Sequence, residues 1–443
     1  MSSYLRVLRH KDFRFLFLGQ SASAVGDQVV IVALALYVTQ STGSATDLGF
    51  VLAAQSLPLI GLVLFGGVWA DRRGGRWRKP IMIGADVARA ALHGLLAVLI
   101  LLGGATVAEM IVIEALFGAA RAFFQPAYSG LVPQTIPDEL VQDARALSSS
   151  TSNLAILVGP AVGTAMVVTI GAGAAFALDA ATFVVSAALL TKVHARPRGA
   201  TPPRRSMVHD LRDGWSEVRS RPWVWVTIAA FTGAVLCAYA PWYALAPLIA
   251  RDLYGGAGAF GVLESVAGGG AVLGALIGIR WRPRRPLLIG FLLILVWPVQ
   301  GIAFALGEPL AAVIVLAFAA GLGFSLFEVW WETALARYIP PHALSRVSSY
   351  DWMGSLALMP LGFALAGPLA SVLGPRVVLG VGSAFGLVVL GLGLVPRATR
   401  KLRGERSRSA EQIADDVEVE AGGEAEVANI DSLVGVVHER PGV

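Results

Sequence analysis

The chain reads as an all-α integral membrane protein, twelve transmembrane helices arranged as two six-helix bundles. Three observations predict this. Apolar runs of helical length recur about twelve times, each with the ~20 residues that cross ~30 Å of hydrocarbon in an α-helix. Basic residues gather in alternate loops, the asymmetry that orients helices in a bilayer. The two halves of the chain also carry matching turn sequences.

The expected spans are 13–39, 47–70, 80–102, 107–124, 146–170 and 173–191, then 223–249, 259–279, 286–306, 309–330, 347–371 and 377–395. Arg6, Arg9, Lys11 and Arg14 precede or open the first. Arg72, Arg73, Arg76, Arg78 and Lys79 follow the second. Lys192 to Arg221 separate the sixth and seventh, Arg280 to Arg285 follow the eighth, and Arg397 to Arg408 follow the last. The intervening loops carry only Arg251 and Arg376. Both termini are therefore expected in the cytoplasm, and the span count even. The expected organisation is a first bundle over 1–191, a linker over 192–222, a second bundle over 223–396 and a disordered cytoplasmic tail over 397–443, acidic after Arg408. In the linker, Met207, Leu211, Trp215 and Val218 recur at helical spacing. That suits a short amphipathic helix on the membrane surface, the alternative being a solvated linker.

Of the 443 residues, 56% are hydrophobic and 15% charged, against about a quarter charged in soluble proteins. The net charge of +5 belongs to loops that orient helices and meet lipid headgroups, so no nucleic-acid partner is expected. The single cysteine, Cys237, lies in a span and forms neither an intramolecular disulfide nor part of a metal cluster. No metal, cofactor or catalytic residue is assigned, and no cleavable signal peptide is expected.

Phe124, Leu131, Val132, Ile136-Pro137 and Leu140 lead into the fifth span, and Phe327, Ala334, Leu335, Ile339-Pro340 and Ala343 lead into the eleventh at the same spacing. Phe50-Val51-Leu52 similarly resembles Phe260-Gly261-Val262-Leu263. A parallel repeat of this kind puts a substrate site between the halves, near the membrane midplane.

Gly67-Val68-Trp69-Ala70-Asp71-Arg72-Arg73-Gly74-Gly75-Arg76-Trp77-Arg78-Lys79 joins spans two and three. It resembles motif A of the major facilitator superfamily. Gly67, Asp71, Arg72 and Gly74 fall on the pattern and Arg76 begins its basic end, although Trp77 interrupts the basic run. Gly67 lets helices approach closely, and Asp71 can face a helix N-terminus. Gly159-Pro160-Ala161-Val162-Gly163 in span five resembles motif C of the superfamily's antiporters. The match is partial, because Ala155 and Thr164 replace usual glycines; an ordinary proline kink is the competing reading. With Leu8-Arg9-His10-Lys11-Asp12-Phe13-Arg14, Gly26-Asp27, Phe124-Gln125-Pro126-Ala127, Leu131-Val132-Pro133 and Leu211-Arg212-Asp213-Gly214-Trp215, the chain looks similar to the branch holding macrolide-efflux and enterobactin-exporter-like proteins. That resemblance covers residues 5 to about 395 and implies the twelve-helix fold, proton-driven alternating access and export of lipophilic drugs or siderophores.

A charge at the bilayer centre costs at least ~2.5–3.5 kcal/mol, so each needs a reason. Asp27 lies near the middle of span one, Glu114 near the middle of span four, and Arg121 two turns further along the same face. The fold that the resemblance implies would gather all three at the cavity. Asp27 would then exchange a proton for substrate while Glu114 and Arg121 tune it; a permanent ion pair stands equally open. Asp86 and Arg89 are expected to pair with each other. Asp179, Glu264, Glu328 and Asp351 sit nearer helix ends, and His93 reads as a packing residue. Tyr239 on span seven, Trp297 on span nine, and Phe324 and Phe327 on span ten are candidates for a cavity that packs on an apolar or cationic ligand. Trp242, Tyr243 and Trp331 fit an interfacial belt better.

The expected function is therefore secondary active export of a small lipophilic compound across the cytoplasmic membrane in exchange for protons. Lipid and the small molecule are its partners, and the chain is monomeric. Import or facilitated passage of a metabolite is the alternative, followed by a membrane-embedded enzyme and a non-transporting sensor.

Overall fold

The computed structural model describes residues 6–71, 76–195, 207–256 and 258–402. Every element among the described residues is helical. The first half comprises α1 (Lys11–Thr42), α2 (Ala45–Asp71), α3 (Arg78–Leu101), α4 (Val107–Thr135), α5 (Val141–Ile170) and α6 (Ala172–Thr191). A surface helix, Met207–Arg219, follows. The second half comprises α7 (Pro222–Leu253), α8 (Gly258–Arg280), α9 (Pro286–Leu306), α10 (Leu310–Tyr338), α11 (Pro341–Leu356, then Met359–Leu373) and α12 (Pro375–Leu392). Eleven of these are long and apolar enough to cross a membrane. The twelfth, α4, is 29 residues long and carries Glu109, Glu114 and Arg121.

The prolines shape these helices. At Pro126 and Pro133 α4 continues to Thr135, well past the expected end at 124, because a helix packed among others tolerates a missing donor. Elsewhere the missing donor shows. Pro298 cannot bond to the carbonyl of Ile294, and α9 breaks at Leu295. Pro360 cannot bond to Leu356, and α11 breaks after Leu356. Pro241 leaves the carbonyl of Cys237 without its donor; α7 takes a π turn over Val235–Tyr239, and the freed oxygen would lie 2.1 Å from a methyl group placed at Gly382.

The halves repeat each other in three dimensions. α2 packs on α4, and α8 packs on α10. A methyl group at Gly118 would sit 1.9 Å from the Gln55 carbonyl oxygen, and one at Gly321 would sit 1.9 Å from that of Ala267. Only glycine permits so close a crossing. The Ile-Pro turns match as well, with Ile136 and Ile339 each extended at the end of α4 and α10.

At the end far from the described termini, one apolar cluster spans both halves. It joins Val38, Ala45, Leu48 and Phe176 to Ala244, Ile249, Phe260, Phe363 and Ala370. Here Gly49 lies against the Phe363 carbonyl, Gly367 against the backbone of Thr46, and Gly261 against Thr164. At the other end the apolar clusters are two. One holds Phe13, Met82, Phe124 and Leu131; the other holds Trp223, Phe291, Phe327 and Leu335. The surface helix docks on the second half, with Val218 buried in that cluster and the Trp215 ring 5.9 Å from Tyr350 of α11.

Candidate functional site

Polar residues at helical spacing form a stripe through the first half. On α3, Asp86, Arg89 and His93 share one face. It meets Asp179, Phe183 and Ser186, which share one face of α6, and Glu114, Phe117, Arg121 and Phe124 of α4. Two layers result. In the layer nearer the termini, Asp86 pairs with Arg89 and both are buried. The Arg89 guanidinium lies 4.2 Å from the rings of Phe124 and of Phe183, a cation–π sandwich. Ser186 donates to Asp86 at 2.7 Å, and Gln20 of α1 donates to Ser186 at 3.1 Å. In the layer above, His93 Nδ1 lies 2.5 Å from Asp179 Oδ2, and His93 Nε2 lies 3.5 Å from Glu114 Oε1. Gln55 of α2 donates to Glu114 Oε2 at 2.7 Å. The Phe117 ring stacks on the imidazole at 3.9 Å, nearly parallel, and Phe176 meets its edge. His93, Glu114 and Asp179 are completely buried.

Beside this stripe a cavity of about 250 Å³ opens between α1, α3, α4 and α5. Asp27, Gln28, Arg89, Arg121, Tyr128 and Ser152 are among its lining. It is smaller than the ~300–1,000 Å³ that encloses a drug-sized ligand, so a larger molecule would extend beyond it. Gly159 and Gly163 set the spacing of α5 and α1, two of the helices around it. A methyl group at Gly159 would meet Gln28 at 2.2 Å, and one at Gly163 would meet the Val29 carbonyl at 2.5 Å. Those glycines let α5 pack directly on α1, and Pro160 lies between them.

The second half presents aromatic rings instead. Tyr239 and Tyr243 of α7 lie 4.8 Å apart, Trp297 of α9 is 5.9 Å from Tyr239, and Phe324 of α10 is 6.4 Å from Trp297. Phe324 is exposed. Glu264 of α8 accepts from Trp242 Nε1 at 2.8 Å and from the Tyr243 hydroxyl at 2.7 Å.

The expected trio thus divides. Asp27 and Arg121 share the cavity, while Glu114 turns away from it to His93 and Gln55, because Glu114 and Arg121 face different neighbours along α4. Phe327, a cavity candidate from the sequence, is 3% exposed, stacked on Phe231 and Trp331 and edge-on to Phe291. His93, read from the sequence as a packing residue, packs on Phe117 and also meets Asp179, read as nearer a helix end, which is buried beside it. Trp242 and Tyr243, read as interfacial, hold Glu264. Asp351 accepts from Trp331 at 2.8 Å. In motif A, Arg72 and Gly74 lie outside the described residues, as do the surroundings of Gly67 and Asp71 near the end of α2; Arg76 is exposed. The i, i+3, i+7 recurrence of Asp86, Arg89 and His93 is the signal by which the sequence could have disclosed the stripe.

Buried charges on helices of this length, beside a cavity in the first of two repeated bundles, define a multi-pass transporter. The family described as transmembrane secretion effector matches residues 2–287, and the chain belongs to that family, within the major facilitator superfamily. It is 25% identical over 374 residues to Macrolide efflux protein A of Streptococcus pyogenes, covering 82% of this chain and 90% of that protein. It is 28% identical over 396 residues to Multidrug efflux pump Tap of Mycolicibacterium fortuitum, covering 84% and 94%. Among solved structures it is similar to a bacterial homologue of the human lysosomal transporter Spinster in an inward-facing, unoccupied conformation (TM-score 0.64, 15% identity, 88% of this chain and 96% of that one). It is also similar to the nucleoside transporter NupG (TM-score 0.63, 11% identity, 86% and 98%). At these identities the structural likeness speaks to the fold alone.

Proposed function

We propose that the protein exports a small lipophilic compound, such as a drug, antibiotic or siderophore, across the cytoplasmic membrane in exchange for protons. The observation that carries this reading is the pairing of a charged cavity wall with an aromatic one. Asp27 and Arg121 line the first half's cavity, and Tyr239, Trp297 and Phe324 form a chain of rings in the second. An apolar or cationic ligand gains from packing on such rings, and a carboxyl at the cavity wall can gain and lose a proton as the cavity changes sides. The efflux relatives support the direction of movement.

In this reading residues 1–191 and 223–396 rock as two bodies about the site. The termini lie in the cytoplasm, so the described conformation, joined at the far end, opens inward. Gly67, Asp71, Arg72, Gly74 and Arg76 brace one of the two faces. Gly159, Pro160 and Gly163 keep α5 against α1 as the cavity changes shape.

Accumulation of erythromycin, ethidium and an iron-loaded siderophore in cells with and without the protein tests this. The expected result is lower accumulation of at least one compound in cells that carry the protein, abolished by an uncoupler. Higher accumulation would favour the importer. Lower accumulation that the uncoupler leaves unchanged would remove the proton from the scheme. Asp27→Asn is expected to abolish driven efflux, and full driven efflux in that variant would remove Asp27 from its role.

A further inference from the structure

His93 lies where neither of its neutral tautomers satisfies both neighbours. Its Nδ1 faces Asp179 at 2.5 Å. A neutral imidazole with its proton there donates to that carboxylate and leaves Nε2 a bare acceptor. Nε2 faces Glu114 Oε1, 3.5 Å away, and a carboxylate oxygen is an acceptor too. Both atoms are buried and have no hydrogen-bond partner. Two acceptors facing each other in a medium without water is an unfavourable arrangement. One added proton, on either atom, converts the pair into donor and acceptor.

The geometry points to a proton-binding site made of His93, Glu114 and Asp179 in the core of the first bundle, apart from the cavity wall. Its coupling role rests on the proton-driven export proposed above; its capacity to bind a proton does not. Every helix packed on it contributes to the charge balance. α1 brings Gly26 against Asp179, where a methyl group would lie 2.3 Å from Oδ1, and Asp27 follows on the cavity side. α2 brings the neutral Gln55. α3 brings Asp86 and Arg89, two turns and one turn from His93 respectively. α4 brings Glu114 and Arg121, and α6 brings Asp179 with Thr182 and Ser186. Four carboxylates (Asp27, Asp86, Glu114 and Asp179) therefore face two guanidiniums (Arg89 and Arg121). With His93 neutral, the region carries an excess of two negative charges, which a low dielectric disfavours.

Protonation forms one N–H or O–H bond at this pair. The proton comes from a hydronium ion in the cavity, which is left as water, and no electron is transferred. Asp27 is the carboxyl at which that proton first meets the protein. Because the triad ties α3, α4 and α6 together while α2 reaches it through Gln55, its charge is felt by the helices that frame the cavity. The bound proton thereby acts on the bundle's shape without occupying the ligand's place.

The test has two arms on the full chain, with His93→Gln, Glu114→Gln and Asp179→Asn as variants. In the first arm no ligand is present. Infrared difference spectra between mildly alkaline and mildly acid buffer are expected to show a response of the Glu114 carboxyl, as a carboxyl band if the proton sits on oxygen or as a shifted carboxylate band if it sits on nitrogen. Glu114→Gln removes that response and His93→Gln changes it. Spectra identical to wild type in both variants overturn the site. In the second arm, vesicles carry out ethidium movement driven by a pH gradient and ethidium exchange without a gradient. His93→Gln is expected to lose driven movement by at least about tenfold while exchange stays within about twofold. Equal loss of both modes, or loss of neither, overturns the coupling role. If wild-type vesicles move no ethidium, the export reading fails for that dye, and the infrared arm still decides whether the triad binds a proton. Where one variant does not fold, the remaining two carry both readouts.

Discussion

The two bundles share a plan and differ in what they place on it. Gly118 of α4 and Gly321 of α10 occupy matching positions 203 residues apart, each against a carbonyl of the neighbouring helix. At the same separation, Glu114 corresponds to Ala317, Arg121 to Phe324 and Phe124 to Phe327. One half thus carries ionisable groups and the other small or aromatic ones on equivalent faces. The backbone repeat is maintained by glycines at crossings, whereas the chemistry of the two equivalent helices has been divided, with charge at Glu114 and Arg121 of α4 and Ala317 and the Phe324 ring at the same places on α10. The repeat fixes where a side chain points and leaves open what it does there.

Breaking the charged half should have the largest effect on stability. Asp86→Ala leaves the Arg89 guanidinium buried without its carboxylate, at about 3–5 kcal/mol. Replacing both partners by leucine should recover most of that loss, which thermal unfolding in detergent would register. An Asp86→Ala protein as stable as wild type would show that the pair is not buried in the membrane-embedded state.

The repeat itself is probed by Gly118→Val and Gly321→Val. Each puts a side chain where only a hydrogen atom fits, at a cost of about 1–3 kcal/mol or more. The two should lower the yield of monodisperse protein alike. A harmless substitution in one half alone would mean that the crossings are not equivalent.

The ring half should answer in affinity instead. Tyr239→Ala and Phe324→Ala are each expected to weaken ethidium binding by about 1–2 kcal/mol, roughly tenfold, leaving its pH dependence intact. Phe327→Ala, by contrast, should lower stability through a core cavity with no direct effect on the ligand. The smallest effect is expected at the start of α4. There Thr106 and Glu109 form a capping box, with the Thr106 N–H donating to Glu109 Oε2 at 2.8 Å. Thr106→Ala should cost about 1 kcal/mol, visible as a small drop in unfolding temperature.

Hydropathy and loop charge made the helices legible, because crossing hydrocarbon leaves a composition signal that needs no tertiary knowledge. Asp27 and Arg121 were legible as cavity candidates for a similar reason: an ion in that setting is costly wherever it points. The triad was not. Whether Glu114 turns toward Arg121 or toward His93 depends on how α3, α4 and α6 rotate about their axes, and periodicity within one helix does not set the rotation of its neighbours. Phe327 is hidden from sequence reasoning on the same ground, since Phe324 and Phe327 stand one turn apart yet one is exposed and the other lies in the core. The breaks in α9 and α11 do have a local signal, in Pro298 and Pro360 and the carbonyl four residues before each.

In the proposed scheme proton and ligand are bound by one carrier in opposition, the first half answering to the proton and the second to the ligand. The most direct measurement is the affinity of the purified protein for ethidium, whose own charge does not change, across buffers from mildly acid to mildly alkaline. Binding is expected to weaken as the buffer becomes more acid, and that dependence to flatten in His93→Gln. An affinity that is the same in acid and alkaline buffer for the wild-type protein would contradict the scheme.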